Sequence, residues 1–178
     1  MKVKHGFVSN SSSTSFFFIF KGEGKDDFRS TLEKNKDRFD LIYFDYTGKC
    51  LHVRHKEIFD AIFDAIESDK ASIYEIDGLV DYYQEDLDYH IKDLKSLEYN
   101  NINNHFHKWC MENIEYIKKQ LDLVNKAKRK GFNKHFIIDF GDNHGTISGS
   151  DLAVVMDCEG RNININNDDL ILFTELNR

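Results

Sequence analysis

Two runs of apolar residues at helical spacing, three or four apart but for one step of five between Trp109 and Ile114, occupy the middle of the chain and constrain its fold most. Val80, Tyr83, Leu87, Ile91 and Leu94 make one stripe, and Phe106, Trp109, Ile114, Ile117, Leu121 and Val124 make a second. This spacing follows the turn of an α-helix, so each run buries one face and wets the other. Asn100-Asn101-Ile102-Asn103-Asn104 forms a polar break between them. The spacing therefore predicts two long helices packed antiparallel as a hairpin over 79–130. Lys126, Lys128, Arg129 and Lys130 stand just before Gly131, with cations at the negative end of the second helix and glycine at the position that ends it.

On either side of this hairpin the pattern changes. Seven hydroxyl or amide residues, Ser9 to Ser15, run directly into the aromatic stretch Phe16 to Phe20, which reads as a strand over Ser15 to Lys21. Gly22-Glu23-Gly24 breaks it, and Asp26 or Asp27 is expected to cap a short helix carrying Phe28 and Leu32. Asp40 to Tyr46 and Leu51 to His55 read as strands joined through Thr47-Gly48-Lys49, and Lys56 to Asp69 as a helix. After the hairpin, His135 to Phe140, Leu152 to Cys158, Arg161 to Asn166 and Leu170 to Leu176 read as further short strands. The expected fold is a single α+β domain over 1–178, with a polar N-terminal segment at 1–14. One small mixed or antiparallel sheet of N- and C-terminal strands packs against the central antiparallel helix pair.

Composition narrows the function classes. The chain has 178 residues, 40% of them apolar and 31% charged, which suits a folded chain without a membrane span. Its 31 acidic and 24 basic residues give a net charge of −7, which disfavours general binding to nucleic acid or anionic lipid. Cys50, Cys110 and Cys158 are odd in number and far apart, so a reducing cytosol is expected and a disulfide or zinc framework is not. The run Phe16 to Phe20 is too short for the apolar region of a signal peptide, so no export is expected and the acceptor-like Asn10-Ser11-Ser12 carries little weight. The chain has no proline and is rich in Asn, Lys, Ile, Asp and Phe, a usage that suggests an AT-rich coding sequence from a low-GC bacterium or a phage.

Gly6-Phe7-Val8-Ser9-Asn10-Ser11-Ser12-Ser13-Thr14-Ser15-Phe16 closely resembles the opening of an uncharacterised group of small bacterial and phage proteins that begin G-F-V-S-N-S-S-S-S-S-F. Phe140-Gly141-Asp142-Asn143-His144-Gly145 is similar to an F-S-D-N-x-G segment in some of them, with Thr14 and Gly141 each standing in place of a serine. This likeness brings context and no activity. Ile137-Ile138-Asp139-Phe140-Gly141-Asp142 resembles the metal-binding segment of aminoglycoside phosphotransferase-type kinases, where the first aspartate holds magnesium. The H-G-D-x-x-x-x-N loop of those kinases is missing upstream. Gly141-Asp142-Asn143-His144-Gly145 resembles the first box of calcineurin-like phosphoesterases, but their two later boxes do not follow.

Geometry limits several smaller signals. The serine run could form an anion-binding nest, but it lacks the Gly-Lys-Ser/Thr ending of a P-loop. Gly22-x-Gly24 has Asp27 where a dinucleotide fingerprint needs its third glycine, and Asp26 and Asp27 would repel a pyrophosphate. His52 and His55 fall on opposite faces of a strand, and His105 and His107 diverge on a helix, so neither pair chelates. Asp139, Asp142, His144 and Asp151 alone offer enough hard ligands for Mg²⁺ or Mn²⁺.

Charge patterning is more informative. Residues 56–99 carry 13 acidic and 4 basic side chains, and residues 105–135 carry 3 and 8, so the molecule is electrically polarised. Asp81, Glu85 and Asp88 recur at four and three, forming an acidic stripe beside the apolar one. The leading expectation is a non-enzymatic cytosolic module that needs no cofactor and binds a protein partner through Asp81, Tyr82, Glu85, Asp88 and Tyr89. Lys126, Lys128, Arg129 and Lys130 would be a second patch. Aligned carboxylates can occupy phosphate sites on a partner, so a phage or mobile-element regulator or counter-defence inhibitor fits. The alternative is a small metal-dependent phosphoesterase or nucleotide-binding enzyme using Asp139, Asp142, His144 and Asp151 with Mg²⁺ or Mn²⁺.

Overall fold

The computed structural model describes residues 13–45, 47–99, 105–141 and 145–177, and its fold is α+β. The chain forms two compact units, one built from residues up to Ile73 together with those from Lys134 onward, the other from Tyr74–Asn133.

The first unit begins with β1 (Ser13–Phe20), α1 (Lys25–Lys34), β2 (Leu41–Phe44), β3 (Cys50–Val53) and α2 (His55–Glu67). A three-residue strand, β4 (Ile73–Glu75), stands at the junction with the second unit, which holds α3 (Ile76–Tyr99) and α4 (His105–Arg129). The chain then re-enters the first unit through β5 (Lys134–Gly141), β6 (Ile147–Ser148), α5 (Asp151–Cys158), β7 (Ile165–Asn166) and β8 (Leu170–Asn177).

Within the first unit the strand order is β5-β1-β8-β7. β1 runs antiparallel to both neighbours, with Phe18 opposite Phe136 and Leu172, and β6 adds to β5 in parallel. The unbroken apolar run Phe16 to Phe20 follows from this central place, because every residue of it is buried on one sheet face or the other. Phe16, Phe18 and Phe20 share a core with Phe136, Ile138, Phe140, Leu170 and Leu172, covered by side chains of α1, α2 and α5. Phe28 of α1 is its hub, with ring centroids 5.5 Å from Phe18, 4.9 Å from Phe20, 5.9 Å from Phe63 and 5.4 Å from Phe136. On the opposite face Phe17 stacks on Phe173 at 5.0 Å.

Carboxylates tie down the turns. Asp40 accepts hydrogen bonds from the backbone N–H of His55 at 2.8 Å and from its ring Nδ1 at 2.9 Å, closing the start of α2. Asp45 accepts from the N–H groups of Thr47 and Lys49 and from the Thr47 hydroxyl, which fixes the β2–β3 loop. Neither Asp26 nor Asp27 caps α1, whose N-cap is Gly24. Asp27 instead accepts from the Glu23 N–H at 2.7 Å. A Cβ at Gly22 would lie 2.3 Å from that of Asp27, so this turn requires glycine.

Two expected strands are corrected. Leu152 to Cys158 is helical, as α5, because the Ser150 hydroxyl caps it by accepting from the Ala153 N–H at 3.2 Å and Asp151 favours its first turn. Arg161 to Asn166 starts as a 3₁₀ turn, Gly160–Asn162, and only Ile165 and Asn166 pair as strand.

In the second unit α3 and α4 lie antiparallel, joined at one end by a Lys128–Asp77 ion pair and at the other by Glu98 and His107 at 3.9 Å. The Ile76 N–H also bonds to the Asn133 carbonyl at 2.8 Å. The most buried line of α3 is Leu79, Tyr83, Leu87 and His90, while Val80, Ile91 and Leu94 are half-buried beside it. On α4 the buried residues are Cys110, Ile114, Ile117, Val124 and Ala127. Gly131 has φ +85°, the left-handed conformation expected where this helix ends.

Candidate functional site

Asp81, Glu85 and Asp88 of α3 are all exposed on the side away from the buried line. A step of about 100° per residue places Tyr82 and Tyr89 between that acidic stripe and the buried one. Both rings are exposed, and each touches a buried neighbour: Tyr82 lies 5.1 Å from Tyr83, and Tyr89 lies 5.4 Å from His90. The five residues expected on this surface are thus neighbours on one helix.

α4 adds aromatic residues that the spacing alone misassigned. Phe106 and Trp109 were expected in the buried stripe, yet both are exposed, because Cys110, Ile114 and Ile117 turn inward and leave Trp109 on the flank. Trp109 stacks on Phe106 with centroids 5.2 Å apart and planes 18° apart, and it meets His90 edge-on at 5.2 Å. Tyr116, seven residues after Trp109, lies on the same flank. In an antiparallel pair this flank of α4 and the Tyr82–Tyr89 flank of α3 lie on the same side, as the shared contacts of Tyr89 and Trp109 with His90 require. Tyr82, Tyr89, Phe106, Trp109 and Tyr116 are between 37% and 59% exposed, a large aromatic display for one helix pair. A signal was present in the sequence, since Trp109 directly precedes the apolar Cys110 and only one of the two can face inward.

Electrostatics set the character of this surface. Asp93, by its charge and then by its hydrogen bond, holds the Tyr89 phenol above its ordinary pKa, so the hydroxyl stays neutral and donates. At the basic end of α4, Lys126 pairs with Asp122 and Lys128 with Asp77, while Arg129 and Lys130 are exposed. The second patch is therefore partly neutralised by its own neighbours.

The first unit has a polar cluster at one end of its sheet. Because β1 is antiparallel to β5, Ser13 lies opposite Gly141, so the end of the serine run and the loop after Phe140 start from the same sheet end. The Ser15 hydroxyl donates to Asp139 at 2.5 Å. On the other face Thr14 donates to buried Asp157 at 2.7 Å, and the Arg161 guanidinium lies 3.3 Å from the same carboxylate oxygen. Asp151 sits at the start of α5, 3.9 Å from Lys49. Asp142 and His144 lie outside the described residues. Among the described residues no three His, Cys, Asp or Glu side chains group as a metal site.

The buried and half-buried cysteines are not activated. Burial, then the charge of Asp93, pushes the Cys110 thiol up, and burial, then Asp157, does the same to Cys158, which also shares a hydrogen bond with Tyr43. Both thiols stay protonated near neutrality, the opposite of a nucleophilic cysteine. Among the described residues no helix is long and apolar enough to cross a membrane. Comparison with protein-family models, curated proteins and solved structures finds no match to the chain.

Proposed function

We propose that the chain is a non-enzymatic cytosolic protein-interaction module that works through the acidic side of its helical hairpin. In this reading it is a regulator or counter-defence inhibitor of the kind carried by phages and mobile elements. The observation that carries it is the exposed line Asp81, Glu85 and Asp88 with Tyr82 and Tyr89 exposed beside it. Carboxylates give such a surface on-rate and discrimination, and tyrosines give it contact area at low entropic cost. The test is capture from host lysate at about 0.15 M salt. The immobilised chain should retain a discrete partner that the Asp81→Asn/Glu85→Gln/Asp88→Asn variant, equally stable, releases. Retention by both would overturn the reading.

A second reading is favoured by one observation, the convergence of Ser13 to Ser15 and the end of β5 at one sheet end, with Ser15 bonded to Asp139. It assigns that end to a small metal-dependent phosphoesterase or nucleotide-binding enzyme using Asp139, Asp142, His144 and Asp151. A bound Mg²⁺, Mn²⁺ or nucleotide at 100 times its dissociation constant would stabilise the fold by about 2.7 kcal/mol. An unchanged melting curve with each of them would eliminate this reading.

A further inference from the structure

Down one stripe of α3 rings and carboxylates alternate: Tyr82, Asp86, Tyr89 and Asp93, at spacings of four, three and four. This stripe differs from the Asp81–Glu85–Asp88 line and lies nearer the partner helix, on the side where α4 exposes Trp109 and Tyr116. His90 lies beneath Tyr89 and Trp109 and is only 7% exposed. Its Nε2 faces Asp86 at 3.7 Å, and its Nδ1 has no hydrogen-bond partner among the described residues. The surface thus offers partly exposed rings, two carboxylates alternating with the tyrosines and a polar floor with one nitrogen unsatisfied.

We infer that this flank of the hairpin, with Tyr82, Asp86, Tyr89 and Asp93 on α3 and Trp109 and Tyr116 on α4, docks an arginine-bearing segment of a partner protein. The inference rests on the hairpin being the interaction surface and names what it recognises. Charge complementarity selects a cation, because the stripe itself contributes two carboxylates and the adjoining one three more. The rings select guanidinium over ammonium: arginine is planar, weakly hydrated, stacks on aromatic faces and still presents in-plane donors to Asp86 and Asp93. Phosphate-bearing partners are repelled by the same carboxylates.

The chain has one tryptophan, Trp109, and it lies in this surface, so its fluorescence reports occupancy directly. The experiment titrates the full chain at about 0.15 M salt with an arginine-rich peptide and a lysine-rich peptide of equal length. The arginine peptide should shift the Trp109 emission saturably, and the lysine peptide should bind about two- to fivefold more weakly, the scale of one exposed cation–π contact. Tyr89→Ala should weaken arginine-peptide binding by a similar factor, and Tyr89→Leu, which keeps apolar bulk for folding, should do the same. Equal affinity for both peptides, or unchanged binding by both Tyr89 variants, overturns the inference. So does concentration-dependent self-association that Tyr89→Leu abolishes, since the occupant would then be a second copy. A lysate partner lost with the Asp81/Glu85/Asp88 variant but kept by Tyr89→Leu would overturn this inference and leave the interaction-module reading standing.

Discussion

Replacing Asp157 by alanine is the sharpest test of how the end of the serine run is fastened to the fold. Asp157 is 4% exposed and its carboxylate accepts from Thr14, 143 residues away in sequence, at 2.7 Å, with Arg161 at 3.3 Å from the same oxygen. A hydrogen bond to a charged group contributes about 1.5–3 kcal/mol, and breaking a buried ion pair costs about 3–5 kcal/mol. Arg161 is partly exposed and can be rehydrated once alone, so Asp157→Ala should cost about 3 kcal/mol, toward the lower end of that range. Thr14 is fully buried, and Thr14→Val removes only the donor at nearly constant volume, so it should cost about 1–2 kcal/mol. Urea unfolding at neutral pH measures both, and the double variant closes a cycle. If the bond is real, Thr14→Val should cost at least about 1 kcal/mol less when Asp157 is already alanine. Additivity to within about 0.3–0.5 kcal/mol would show that the two side chains do not communicate and would refute the reasoning.

Three other outcomes follow from the geometry. Phe28→Ala should cost about 3–5 kcal/mol in the same unfolding assay, because four aromatic rings surround a fully buried side chain and cannot collapse into the space it leaves. Asp40 is held below its ordinary pKa by the His55 N–H, then by the His55 ring. Its contribution is therefore complete above the unfolded carboxylate range and is lost as pH falls through the depressed folded value. The stability gap between the native chain and Asp40→Asn should accordingly narrow as pH falls below about pH 4, in pH-dependent thermal melts. A thiol reagent should modify exposed Cys50 quickly, and Cys110 and Cys158 only on unfolding, since burial raises the latter two pKa values.

Much of the fold was legible in the residues, and what was not has physical causes. The hairpin was readable because its stripes persist over many turns, and Gly131 ended it as expected. The aromatic strand was readable because five apolar residues in a row leave little alternative to a strand buried on both faces. α5 was misread because Val154 and Val155 are β-branched and the run is short; the deciding feature is the Ser150 cap, a local hydrogen bond that outweighs propensity. Strand order was not legible, since nothing local pairs Phe17 with Phe173. The exposed aromatic flank of the hairpin was half legible. Tyr82 and Tyr89 fell off the apolar stripe and so read as exposed, whereas Phe106 and Trp109 matched the helical period, yet Cys110, Ile114 and Ile117 are the residues that turn inward.

The central position of β1 also has a temporal side. Both of its hydrogen-bonding neighbours, β5 and β8, lie more than a hundred residues downstream. At roughly 5–20 residues per second of synthesis, Phe16 to Phe20 leaves the ribosome on the order of ten seconds or more before β8 exists to flank it. During that interval five adjacent sticky side chains have no native home, so nascent chains of this protein should depend on holdase chaperones and should aggregate when translation stalls between α4 and β8.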